Sequence, residues 1–156
     1  MPKIDLSTLP AKTGSTYPGG LSARMAGRSQ VGLAGPGGLT QFGVNLVTLA
    51  PGAQSSLRHW HERQDEFLIV TQGICTLVDD HGATELRVGE CAAFPAGDAN
   101  GHHLVNETDA PAQFLVVGTR TDSETAHYSD VDMMVNVRDG VFSFTRRDGT
   151  PLEQDT

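Results

Sequence analysis

The chain has 156 residues, 18 of them Gly and 8 Pro, with 19% charged residues: the size of one domain and the turn-rich composition of many short strands. A formal net charge of −8 opposes a nucleic-acid backbone, no stretch approaches the roughly 20 apolar residues of a membrane-spanning helix, and the opening MPKIDLSTLPAKTG has no apolar signal core. The expectation is a cytoplasmic protein, with neither nucleic acid nor membrane as partner and with Cys75 and Cys91 reduced.

Residues 1–39 are rich in Gly, Pro, Ser and Thr and carry only scattered apolar anchors between Leu21 and Leu33, so they read as an irregular arm without a helix. Such an arm either crosses the outer surface or adds a strand to a neighbouring subunit's sheet. From Thr40 to Ala50 a strand is expected, with Phe42, Val44 and Leu46 on one face and Val47 and Leu49 taking over after an irregularity.

The next stretch, PGAQSSLRHWHERQDEFLIVTQG, is the one the chain is organised around. In a strand the period of two puts His59 and His61 on one face and Trp60 on the other, where core packing is its expected role. Four residues then allow a tight turn before Glu66, which opens the β-branched run to Thr71 and can return beside the two imidazoles. Imidazole with carboxylate suits Fe, Mn, Ni, Cu or Zn in the divalent state, not an all-oxygen cage for magnesium or calcium. Asp65 has the opposite parity and reads as a solvated turn charge, as Arg58 reads as a solvated arginine.

After Gly73, Ile74 to Val78 reads as a strand, Asp79-Asp80-His81-Gly82 as a hairpin turn, and Ala83 to Val88 as the returning strand. Gly89 turns again, Glu90 to Phe94 leads into Pro95-Ala96-Gly97, and a new strand begins at His102. There His102, Leu104 and Asn106 share a face, so His102 is preferred over His103 as a further metal ligand, and Asn106 is read as closing a turn. Ala112 to Thr119 is apolar on both faces, as a central strand is, and completes the barrel. The extension 120–156 is polar at first and ends in one more strand, Val141 to Thr145. His81 and His127 read as spectators.

These segments resemble the paired motifs of the cupin superfamily. In the first motif His59, His61, Glu66 and Gly73 match, while six residues separate Gly52 from His59 where the family pattern has five. In the second, Gly89, Pro95, Gly97, His102 and Asn106 match, while four residues instead of two separate Gly97 from His102. The wording HWHERQDEF and PAGDANGHHLVN is also similar to small bacterial cupins named as sugar phosphate isomerases.

The resemblance implies an all-β, double-stranded β-helix (jelly-roll) barrel over 40–119, a homodimer, and one divalent transition metal held by His59, His61, Glu66 and His102. The expected function is that of an enzyme on a small oxygenated metabolite, isomerase-like or dioxygenase-like, with Glu66 as ligand or base. The isomerase version needs cations for a phosphate, and Arg24, Arg28, Arg58 and Arg120 are the candidates. The alternative is a non-catalytic module that binds and reports a small molecule.

Overall fold

A computed structural model describes residues 3–153; the ends of the expected arm and extension, 1–2 and 154–156, lie outside the described residues. The strands are β1 (Lys12–Thr13), β2 (Arg28–Gly32), β3 (Phe42–Leu49), β4 (His59–His61), β5 (Glu66–Gln72), β6 (Ile74–Asp79) and β7 (Gly82–Arg87). They continue as β8 (Cys91–Phe94), β9 (His103–Val105), β10 (Ala112–Thr119), β11 (Ser123–Tyr128), β12 (Met134–Arg138), β13 (Val141–Thr145) and β14 (Pro151–Leu152). Only short 3-10 turns, Leu6–Thr8 and Leu21–Met25, interrupt the β structure, and no helix among the described residues is long and apolar enough to cross a membrane.

One layer is the sheet β1-β2-β3-β10-β5-β8. The facing layer joins β14-β13-β12-β11-β4 to β7-β6-β9, because His59 on β4 bridges His102 and Gln54 bridges Val105. This is an all-β jelly-roll barrel. Register and the period of two fix what points inward. Val47 lies opposite Phe114, Phe114 opposite Val70, and Leu68 opposite Val116. With Leu49, Cys75 and Leu104 they form one apolar core; Met25, Leu57, Ala126, Tyr128, Met133, Val135 and Phe144 form a second. Each large buried side chain contributes about 1.5–3 kcal/mol. Gly73 is required where β5 turns into β6: its φ is +68°, and a Cβ there would meet the Pro111 carbonyl oxygen at 2.7 Å.

Three details differ from the sequence reading. The arm has two 3-10 turns, lays β1 and β2 against its own β3, and packs Tyr17, Leu21 and Met25 into the second core. Apolar burial of these anchors decides its path, where a count of glycines and prolines suggests a loose segment. The β3–β10 ladder runs without a register shift, so Val47 and Leu49 face the core while Val44 and Leu46 lie on the opposite face, partly covered. The barrel does not finish at Thr119: β11 pairs with β4, so the extension closes the layer that carries the histidine pair.

Candidate metal centre

β4 is held on both edges. Ala126 and Tyr128 of β11 pair with His61 and His59, and on the other side the His59 and His102 backbones exchange hydrogen bonds of 3.1 and 2.9 Å. The alternation predicted from His-Trp-His follows: both imidazoles enter the barrel, and Trp60 faces outward. There Trp60 stacks on His127, with ring centroids 4.3 Å apart, instead of joining the core, because its cross-strand neighbour supplies an aromatic face. Glu66 opens β5 on the facing layer, opposite Gly118 and Phe94. The barrel interior thus receives histidines from one layer and a carboxylate from the other.

His59, His61 and Glu66 offer ligand atoms that all lie within 4.8 Å of one another, a group that could hold a metal ion. His61 Nε2 is 3.7 Å from Glu66 Oε2. His102 joins the group through Glu66, with its Nε2 3.3 Å from Oε1, and is 2% exposed. Its ring is fixed by stacking on Phe94, centroids 3.4 Å apart and planes 4° from parallel. The neighbouring His103 also borders the cavity, but its Nδ1 is 2.9 Å from the Ser56 carbonyl oxygen.

The ring nitrogens fit a cation. His59 Nδ1 donates to the Leu57 carbonyl oxygen at 2.9 Å, which leaves Nε2 with its lone pair free for the cluster. In His61 and His102 the Nε2 atoms approach Glu66, while the Nδ1 atoms are buried without a hydrogen-bond partner. Burial, followed by the neighbouring His61 charge, lowers the His59 pKa to about 4, and burial lowers that of His61, so both imidazoles are neutral donors near pH 7. Burial opposes ionisation of Glu66, but the His102 hydrogen bond and the nearby imidazoles outweigh it and hold the carboxyl below its ordinary pKa. Two neutral imidazoles, His59 and His61, and the Glu66 carboxylate make a mixed nitrogen and oxygen donor set that could hold a metal ion, with His102 beside Glu66.

Several contributors were not picked out from the sequence. Glu124 on β11 is buried and accepts backbone N–H bonds from Glu62, Arg63 and Thr125 at 2.9 to 3.1 Å, pinning the turn between His61 and Glu66. Its Oε1 also lies 4.0 Å from His61 Nδ1. Tyr128, beside His59 with ring centroids 5.9 Å apart, packs edge-on against Tyr17 at 5.4 Å. Burial raises the pKa of both hydroxyls, which keeps them protonated. The alternation of Glu124, Ala126 and Tyr128 was the available signal, masked by the polar residues between them.

Other predicted residues lie elsewhere. Asp65, exposed, accepts the Ala96 N–H at 2.8 Å and ties the turn after β4 to the one after β8. Asn106, fully buried, donates to the Leu49 and Ala110 carbonyls and accepts from Thr108, closing its loop. Arg58 is bound between Asp80 and Asp130 at 2.8 and 2.9 Å, so it is neither solvated nor free for a ligand. His81 is exposed in its hairpin, and His127 contacts Glu62 at 2.7 Å.

The cluster stands where two cavities meet. One, of about 610 Å³, runs toward β1, β2 and Tyr17; the other, of about 680 Å³, runs past Gly43 and Gly118 toward Arg120. Both fall within the roughly 300–1,000 Å³ of small-molecule sites. The sequence of residues 45–118 matches the family described as Cupin domain. The chain is 61% identical to a sugar phosphate isomerase from a cupin superfamily of Silicibacter pomeroyi, over 97% of each chain and with a TM-score of 0.95.

The chain belongs to the cupin superfamily. More distant cupin-like folds include a protein of Acidithiobacillus ferrooxidans, provisionally given the name sugar phosphate isomerase, at 22% identity and TM-score 0.71 over 81% of this chain and 82% of that one. The polyketide cyclase RemF of Streptomyces resistomycificus is 23% identical, with TM-score 0.63 over 76% and 79%. The likeness to these two is one of fold. No curated protein matches the sequence.

Proposed function

We propose that this cupin is a metal-dependent enzyme that isomerises a small phosphorylated sugar. The observation that carries the reading is the meeting of His59, His61, Glu66 and His102 at the junction of two ligand-sized cavities. The name of the Silicibacter pomeroyi relative supports the substrate class. In this reading the three histidines and Glu66 hold a divalent transition metal, which when bound supplies Lewis-acid polarisation of substrate oxygens.

The chain's own residues supply the rest. An aldose–ketose exchange moves one proton between adjacent carbons and one between their oxygens. Glu66, kept ionised, is the one carboxylate bordering the first cavity, and would act as the base of this reading when displaced from the metal, which the three histidines would still hold. Tyr128 and Tyr17, kept protonated, offer hydroxyl donors on the wall beside His59. Val116, Phe114 and Phe144 add an apolar stretch to the same wall.

That apolar wall also suits a second reading, a non-catalytic module that retains a small metabolite. The experiment is turnover of aldose and ketose phosphates by protein loaded with each divalent metal, followed by NMR, with oxygen uptake measured alongside. The expected result is metal-dependent interconversion that falls at least about 100-fold in a folded Glu66→Gln variant. Oxygen consumption without isomerisation would replace the isomerase with an oxygenase. Neither activity with any metal would leave the binding module.

A further inference from the structure

The far end of the first cavity is built differently from the end that holds the histidines. β1 pairs with β2 so that Lys12 lies opposite Gln30, and Gln30 in turn lies opposite the core residue Val47 of β3. With a period of two, Lys12, Gln30 and Arg28 leave the ladder on its inner side, and all three border the cavity. The Arg28 guanidinium donates through Nη2 to Gln30 Oε1, which holds its plane, while its Nε is buried and has no partner.

Counter-charge is missing at this end. Among the described residues no carboxylate lies within ion-pair distance of Arg28 or Lys12; the ion pairs of the chain involve other residues. The one carboxylate on the cavity wall, Glu66, belongs to the histidine cluster. Burial also holds the Arg28 pKa below its ordinary value, as expected of a cation partly withdrawn from water. A half-buried guanidinium that borders a cavity and keeps a buried, unpaired N–H is costly, and an anionic ligand group beside it relieves part of that cost.

We propose that Arg28, Gln30 and Lys12 form an anion subsite that takes the phosphate monoester of the substrate, at the opposite end of the cavity from the histidine cluster. The assignment deepens the function proposed above and rests on it for the identity of the substrate. Phosphate fits better than a carboxylate because its second negative charge matches a second cation. The planar fork of Arg28 binds two oxygens, and the ammonium of Lys12 adds a point charge. The hydroxyls of Ser15 and Thr16, on the same wall, suit the remaining oxygen. The arm between β1 and β2 thus carries specificity while the barrel carries the metal ligands.

The test is equilibrium binding of inorganic phosphate, by calorimetry, to the wild type and to Arg28→Met, Lys12→Met and the double variant His59→Ala, His61→Ala. Circular dichroism verifies folding, and Arg28→Lys serves as a charge-conserving control. The wild type and the double histidine variant should bind alike. Arg28→Met should lose roughly tenfold or more, as expected for one charge-assisted pair. Lys12→Met should lose less, and Arg28→Lys should fall between wild type and Arg28→Met. Absence of saturable binding to the wild type, or binding untouched by Arg28→Met, would overturn the subsite. So would binding that disappears in the histidine variant, since the phosphate would then sit on the metal. Arg28-dependent phosphate binding without isomerase turnover would uphold the subsite and overturn only the proposed reaction.

Discussion

Gly101 governs how closely the His102 strand can approach its neighbour. A Cβ at this position would lie 1.9 Å from Ser129 Oγ, closer than atoms tolerate, and 3.0 Å from Ser129 Cβ, a tight contact. Gly101→Ala should therefore cost about 1–3 kcal/mol as an overpacked site and loosen His102 from Glu66. In a Ser129→Ala background the loss should shrink, since the nearer clash is gone. Urea denaturation of the four proteins in this cycle measures it, and strictly additive effects would contradict the contact. The same scale explains what the sequence revealed of the site. His59, His61 and Glu66 were legible because a strand, a tight turn and a strand convert fixed spacing into convergence. Parity put His102 on one face with Leu104 and Asn106, and in the structure His102 Nε2 lies 3.3 Å from Glu66 Oε1. Glu124 and Arg28 were not legible, since their roles depend on pairings of β11 with β4 and of β2 with β3 that no local pattern encodes.

Among the elements, β11 deserves the weight that the sequence reading gave to the end of β10. β4 is only three residues long, and its hydrogen bonds run to β11 on one edge and to the start of the His102 strand on the other. A chain ending after Thr119 would leave β4 without β11. It would also lose Tyr128, Met133, Val135 and Phe144, most of the second core. Such a truncation should fail to give a cooperative thermal transition, whereas a barrel complete at Thr119 would still melt as one unit. The alternating burial of β11, with Glu124, Ala126 and Tyr128 inward, was present in the sequence but carried only one aliphatic residue. Hydrophobic periodicity cannot find a strand whose inner face is a carboxylate, an alanine and a tyrosine. The central strand β10, apolar on both faces, was correctly found between two partners for the opposite reason.

Across the whole molecule, opposite charges stand at opposite ends of one cavity. The protein as a whole carries −8, yet the wall at β1 and β2 presents Arg28 and Lys12, and the far end presents a carboxylate among three imidazoles. In the proposed function this polarity would orient a substrate with an anionic tail and a polarisable head. Its head end depends on the central claim, that His59, His61, Glu66 and His102 hold a metal. The most direct measurement is elemental analysis of protein purified without added metal, beside the His59→Ala, His61→Ala variant. The account predicts about one transition-metal ion per chain in the wild type, and loss of that ion in the folded variant. A wild type that stays metal-free after reconstitution, or a variant that keeps the ion, would contradict it.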